Sequence, residues 1–104
     1  MRVYFASNSS YLNADGQRLI RAFADSARKN SDARILVTGY ADGAGTPAYN
    51  KWLSQRRAER VKAVLTREGI DRRRISTVGG GEVRSSDAAA NSTDRRTEIR
   101  YLGK

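Results

Sequence analysis

The stretch from Thr46 to Gly69 has the clearest helix signals in this 104-residue sequence. Thr46 can cap the first turn, and Pro47 suits the first helical position because its missing amide would have no partner there. Gly69 is a natural stop at the other end, so we predict a helix of about six turns that ends at Glu68. A helix of this length needs an apolar surface to cover, and β-prone segments before and after it can supply one.

The rest of the chain alternates between strand and helix patterns. A first helix is predicted from Asn13, a candidate N-cap, to a point near Asn30. The order β-α-β-α-β-β predicts an α+β fold, a two-layer sandwich with both helices packed on one face of a small mixed sheet. Four runs rich in β-branched and apolar residues predict the strands: Val3–Phe5, Ile35–Thr38, Ile75–Val78 and Thr97–Leu102.

Three finer expectations follow from the same patterns. The run Ile35–Thr38 suits the centre of the sheet or a strand buried on both sides. Gly79–Gly81 is predicted to be a turn, and residues 82–95 a long polar loop. The apolar face of the first helix is predicted to consist of Leu19, Ile20, Phe23, Ala24 and Ala27.

Composition limits the classes of function. The 38% hydrophobic and 30% charged residues suit one domain over 1–104, and no apolar run is long enough for a membrane helix. The absence of Cys and His excludes disulfides, thiolate zinc sites and His-dependent catalysis, so we predict no metal and no cofactor. Most of the net charge of +9 lies after residue 50. Such a charge suits nucleic acid, acidic headgroups, an anionic polymer or simple solubility.

Arg57 lies in the middle of the apolar stripe of the second helix, between Leu53, Val61 and Val64. Burying an unpaired charge is costly, so this guanidinium must find a partner. One hypothesis is a structural ion pair with a carboxylate. The other is that Arg57 and Asp42, which follows a predicted strand in a glycine-rich turn, together bind a ligand with both an ammonium and a carboxylate group.

These residues belong to a longer pattern that resembles the OmpA-like peptidoglycan-binding domain, the family of the Pal lipoproteins and the stator protein MotB. The resemblance extends over nearly the whole chain. Its segments are Gly39-Tyr40-Ala41-Asp42-Gly43-Ala44-Gly45, Tyr49-Asn50, Leu53-Ser54, Arg57-Ala58, Val61, Gly79-Gly80-Gly81-Glu82 and Arg95-Arg96-Thr97-Glu98-Ile99.

The resemblance implies a non-enzymatic domain that binds the meso-diaminopimelate of the peptidoglycan stem peptide and so anchors a larger envelope protein to the cell wall. Asp42 would bind the ligand's ammonium group and Arg57 its carboxylate. Ala6 stands where members often have an acidic residue. The residues that would complete or support the pocket are Phe5, Ala6, Ser7, Asn8, Asn50, Leu53 and the closing Arg95-Arg96 stretch.

The resemblance also implies a periplasmic location, with any attachment to the outer membrane made through a segment outside this sequence. Other envelope proteins are then possible partners, and no nucleic acid is expected. The alternatives are a basic module for nucleic acid or an acidic protein, and an assembly domain of a stator or secretion complex. An enzymatic use would be limited to carboxylate chemistry, for example by Asp42 and Glu82.

Two further features have both a functional and a plain explanation. Trp52 is predicted on the outer face of the second helix, where it could stack on a sugar, contact a partner protein or lie on the stems of Arg56 and Lys51. The run Arg72–Arg74 could attract a polyanion, but a solvated turn between helix and strand is the favoured explanation.

Overall fold

The computed structural model describes residues 1–30, 33–43, 45–82 and 94–102, and the elements follow the predicted order. Most of the predicted loop, residues 83–93, lies outside the described residues. The α+β fold class is confirmed, with two helices on a four-stranded mixed sheet. The strands are β1 (Arg2–Tyr4), β2 (Ile35–Ala41), β3 (Ile75–Glu82) and β4 (Arg96–Tyr101), and the helices are α1 (Ala14–Arg28) and α2 (Pro47–Arg67).

The strand order in the sheet is β1-β4-β2-β3. β2 pairs in parallel with β3 and antiparallel with β4, which in turn pairs antiparallel with β1. The predicted central position of β2 is therefore confirmed. The expectation of burial on both sides is wrong, because Leu36, Thr38 and Tyr40 are only half-buried while Ile35 and Val37 are fully buried. The helices cover one face only.

Helix α1 starts as predicted, with the side chain of Asn13 accepting a hydrogen bond from the Gly16 amide at 2.8 Å. It buries Ile20, Ala24 and Ala27 against the sheet. Leu19 was predicted for the same face but is 46% exposed, so that assignment is wrong. The helix ends at Arg28, two residues before the predicted end at Asn30.

Helix α2 also begins and ends on the signals seen in the sequence. The hydroxyl of Thr46 accepts a hydrogen bond from the Tyr49 amide at 3.1 Å, and Pro47 occupies the first turn. The helix ends at Arg67, with Glu68 as its C-cap, and Gly69 follows with a φ of +95°. That left-handed conformation favours glycine.

Strand β3 continues through Gly79–Gly81, so the prediction of a turn there is wrong. The strand continues because it stays paired with β2 as far as Ala41 and Glu82. The glycines are explained by the close approach of α2 to the sheet. A Cβ on Gly39 would lie 1.9 Å from the carbonyl oxygen of Ser54, and one on Gly79 would lie 2.9 Å from Gln55. The glycines of β2 and β3 therefore allow the helix backbone to lie directly on the strands that position the site.

Candidate functional site

A cavity of about 350 Å³ opens at the carboxyl end of β2, where α2 faces the first-strand loop. Asp42 directly follows β2 and is 8% exposed. The structure brings most of the predicted site residues together around this cavity. Its lining consists of Ser7, Asn8, Asp42, Gly45, Tyr49, Asn50, Leu53 and Arg57.

Arg57 is fully buried, and its guanidinium donates hydrogen bonds to three main-chain carbonyls. The acceptors are Ser9 at 2.8 Å from Nε, Tyr40 at 2.8 Å from Nη1 and Ala6 at 3.0 Å from Nη2. A guanidinium has five N–H donors, so two remain for other acceptors after these three contacts. Arg57 therefore holds the first-strand loop against the end of β2 and keeps two N–H groups that these carbonyls do not use.

The surroundings of Arg57 lower its pKa to about 10, chiefly because burial disfavours the charged form. The nearby charge of Asp42 opposes this effect, whereas the charge of Arg95 adds to it. The guanidinium carbon also lies 5.1 Å from the centroid of the Phe5 ring, a favourable cation–π distance. Arg57 thus stays charged at neutral pH in a partly desolvated position.

Asp42 contacts a cation that the sequence analysis did not assign to it. Its Oδ2 lies 3.2 Å from Nη1 of Arg95, and the Nε of Arg95 donates to the carbonyl of Phe5 at 3.1 Å. The predicted anion and cation, Asp42 and Arg57, line the same cavity. The cavity is therefore lined by side chains of opposite charge.

Arg96, which was predicted to support the pocket, is not among the residues that line it. Its guanidinium carbon lies 4.6 Å from the ring centroid of Tyr40, and its Nε donates to Glu98 at 2.7 Å. Neighbouring residues of a strand point to opposite faces, and Arg96 is on the face away from the helices. It is Arg95 that reaches Asp42.

The remaining predicted residues have distinct positions. Phe5 is 5% exposed and packs beside Arg57, while Ala6 contributes its carbonyl oxygen. The buried side chain of Asn50 donates to Glu82 at 3.2 Å, which connects α2 to the end of β3. Leu53 is 5% exposed and forms an apolar part of the cavity wall.

The sequence analysis assigned no site role to Tyr49, although it belongs to the family-like segment. Its hydroxyl is hydrogen-bonded to the side chain of Asn8, whose φ of +56° is left-handed. Tyr49 precedes Leu53 by four residues, and this spacing on a helix could have indicated a shared face. The contact connects the start of α2 to the first-strand loop.

Trp52 is exposed, as predicted, with 54% of its surface accessible. The guanidinium carbon of Arg56 lies 5.7 Å from its ring centroid, and the Tyr49 ring lies 5.6 Å away. Trp52 thus contacts Arg56, and the contact shown is with the guanidinium group. Because Tyr49 lines the cavity, Trp52 is also next to the site.

Neither a metal site nor a membrane-spanning helix is found in the part of the chain that the structure describes. No group of three acidic side chains there is arranged to hold a metal ion. Neither α1 nor α2 is both long enough and apolar enough to cross a membrane.

Solved structures of envelope proteins share this architecture. The peptidoglycan-associated lipoprotein of Burkholderia pseudomallei superposes with a TM-score of 0.90 and 28% identity, covering 97% of this chain and 89% of the other. The C-terminal domain of Helicobacter pylori MotB gives a TM-score of 0.90 at 22% identity, covering 100% of this chain and 85% of that one. The MotB comparison shows the shared fold alone.

Sequence comparison finds relatives among outer-membrane proteins. Outer membrane protein A of Bordetella avium is 38% identical over 96% of this chain, and the match covers 54% of that protein. The peptidoglycan-associated lipoprotein of Haemophilus influenzae is 36% identical over 95% of this chain and covers 67% of the relative. The chain thus spans about half to two thirds of these proteins. The profile of the OmpA family matches residues 4–100, and the chain belongs to that family.

Proposed function

We propose that this domain binds peptidoglycan non-covalently through the meso-diaminopimelate of the stem peptide and anchors a larger envelope protein to the cell wall. Membership of the OmpA family and similarity to proteins named peptidoglycan-associated lipoprotein support the choice of polymer. The family consists of binding domains rather than enzymes.

The observation that favours diaminopimelate is the pair of opposite charges in one cavity. Asp42 and Arg57 both line the 350 Å³ space, and both are buried. The side chain of diaminopimelate ends in an ammonium and a carboxylate on the same carbon. Asp42 would accept hydrogen bonds from the ammonium, and the two remaining donors of Arg57 would bind the carboxylate.

The other cavity residues would shape the pocket around this pair. Leu53 supplies an apolar surface for the methylene groups of the ligand, and Ser7 and Asn8 supply polar atoms near its ammonium or peptide groups. Arg95 is a positioning residue, because it contacts the Asp42 carboxylate from the side of Phe5. Arg96 has no proposed contact with the ligand.

This function places the domain in the periplasm, where the cell wall is accessible. Relatives named outer membrane protein A and peptidoglycan-associated lipoprotein are consistent with such a location. The attachment to the membrane would lie in a part of the protein outside this sequence. Other envelope proteins remain possible partners of that larger assembly.

The proposal is tested by calorimetric titration with two synthetic stem peptides that differ only at the third residue. One contains meso-diaminopimelate and the other contains lysine, which has the same ammonium but no carboxylate beside it. We expect saturable binding of the first and at least about tenfold weaker binding of the second, since a desolvated charge-assisted contact is lost. Equal affinity for both peptides, or no binding of either by the folded domain, would overturn the proposal.

Nucleic-acid binding is the outcome that the net charge of +9 would otherwise suggest. A short single-stranded oligonucleotide in the same buffer serves as the comparison. Affinity that falls steeply with salt and does not change in an Asp42→Asn variant would favour the basic-surface explanation.

A further inference from the structure

A second cavity, of about 460 Å³, adjoins the candidate site. Asn8 lines both cavities, so the first-strand loop forms the wall between them. This wall is well supported, because the Ser9 carbonyl accepts a hydrogen bond from Arg57 and the Ser9 hydroxyl accepts one from the Tyr11 amide at 3.0 Å. We call the second cavity the arginine groove, since Arg60 and Arg67 of α2 line it.

The two arginines of the groove have no acidic partner among the described residues. Arg60 and Arg67 are exposed, and neither takes part in an ion pair or a side-chain hydrogen bond within that part of the chain. Between them lies the apolar surface of Val64, and Leu12 lines the opposite wall. The groove therefore presents two uncompensated cations beside an apolar surface.

The spacing of the arginines matches the length of a short peptide. Arg60 and Arg67 follow Arg57 by three and ten residues, so they lie about 4.5 and 15 Å further along the helix axis. An extended peptide advances about 3.3 Å per residue. A ligand with one residue bound at Arg57 would thus bring the next residue or two to Arg60, and about four residues would reach Arg67.

We propose that the arginine groove is a second subsite for the stem peptide, where Arg60 binds a carboxylate of a residue next to diaminopimelate and Arg67 binds one further along the peptide. This inference rests on the proposed function, because it requires diaminopimelate to occupy the first cavity. A guanidinium binds a carboxylate through two parallel hydrogen bonds, which suits it to this role. The groove would add affinity for the peptide beyond that for the single amino acid.

The test uses the double variant Arg60→Gln, Arg67→Gln and two ligands, free meso-diaminopimelate and the diaminopimelate stem peptide. We expect the variant to bind the peptide about tenfold more weakly than the original protein, because two partly exposed charge pairs are lost. Its affinity for free diaminopimelate should change less than about twofold, since the first cavity is intact.

The matched control is Arg34→Gln, Arg100→Gln, which removes the same charge at the other end of β2 and β4. Both of these arginines are exposed, and neither lines the groove. An equal loss of peptide affinity in this control would show a general charge effect and overturn the subsite. An unchanged groove variant, or one that loses free diaminopimelate as well, would also overturn it.

A second set of peptides identifies which carboxylate is bound. The carboxylates that flank diaminopimelate are converted to carboxamides one at a time. The peptide in which the groove-bound carboxylate has become a carboxamide should bind the original protein more weakly. The same change should cause no further loss of affinity in the groove variant. Equal losses in both proteins for every amide would contradict the proposal. If the original protein binds neither diaminopimelate nor the peptide, the proposed function itself fails. If the original protein binds both and the groove variant binds the peptide with the same affinity, only this inference fails.

Discussion

Nη1 of Arg57 lies 2.8 Å from the carbonyl oxygen of Tyr40, two residues before Asp42. This contact joins α2 to the carboxyl end of β2, and the same guanidinium also holds Ala6 and Ser9 of the first-strand loop. Arg57 therefore has two roles in the proposed site. In our proposal it binds the ligand's carboxylate, and in the structure it joins the elements that line the cavity.

Replacing Arg57 with alanine should destabilise the fold as well as remove the proposed carboxylate contact. Three carbonyls would lose a charged donor, so the free energy of unfolding should fall by about 3 kcal/mol. Urea denaturation followed by circular dichroism measures this change. Arg56→Ala, one residue away and exposed, is the control and should change stability by less than about 0.5 kcal/mol. Equal effects of the two substitutions would show that the three carbonyl contacts contribute nothing.

Replacing Asp42 with asparagine should reduce binding without comparable loss of stability. The side chain keeps its shape but loses the charge that would attract the ligand ammonium, so affinity for the diaminopimelate peptide should fall about tenfold or more. Calorimetry gives the affinity of each protein for the normal peptide and for a peptide whose corresponding amine is acetylated. The comparison measures the energetic coupling between Asp42 and the ligand's ammonium group. The acetylated peptide should bind both proteins equally weakly, whereas a further loss in the variant would contradict the assigned contact.

Gly39→Ala should be strongly destabilising because the added Cβ would lie 1.9 Å from the Ser54 carbonyl oxygen. Helix α2 would have to move off the sheet, at a cost of about 3 kcal/mol or more. Gly69→Ala is the comparison, since its φ of +95° strains alanine but no atom lies closer than 4.0 Å. That variant should lose about 1 kcal/mol. Thermal unfolding shows which variant loses more stability. A smaller loss of stability in Gly39→Ala than in Gly69→Ala would contradict the close packing of α2 on the sheet.

Trp52 should report ligand binding by fluorescence, because it is the only tryptophan and its ring lies 5.6 Å from that of Tyr49. Tyr49 lines the cavity and is hydrogen-bonded to Asn8, so a ligand that contacts this pair should alter the surroundings of Trp52. We expect a saturable change in emission with the same midpoint as the calorimetric titration. Tyr49→Phe should keep the ring and weaken the signal, whereas a midpoint unrelated to calorimetry would exclude Trp52 as a reporter.

Asp71 provides a pH test that is independent of the site. Hydrogen bonds from the Arg73 side chain and amide lower the pKa of the Asp71 carboxyl to about 2. A folded-state pKa below the unfolded value stabilises the protein above about pH 4, and this stabilisation is lost as the pH falls through about 2. Carbon NMR of the carboxyl should show the low pKa. In Arg73→Gln the pKa of Asp71 should rise but stay below its ordinary value, because the backbone amide of residue 73 still donates a hydrogen bond. An unchanged pKa would contradict the contact between the Arg73 and Asp71 side chains.

Local chemistry allowed most element boundaries to be predicted from the sequence. The capping groups of Asn13 and Thr46, the proline at position 47 and the left-handed Gly69 act on their own neighbours, and each does what the sequence indicated. The family-like segments likewise indicated that Asp42 and Arg57 belong together, and both line one cavity. Their contact with a ligand remains a prediction.

The sequence by itself determined the order of the elements and the fold class, because these depend on short-range patterns. The tertiary structure decided what depends on residues far apart in the chain. Gly79–Gly81 became strand because this segment continues the pairing of β3 with β2, from Gly39 opposite Gly79 to Ala41 opposite Glu82. Arg95 rather than Arg96 reached Asp42 because the direction of a side chain at a strand end depends on pairing with β1 and β2. The arginine groove exists only because a loop near the N-terminus packs against the middle of α2.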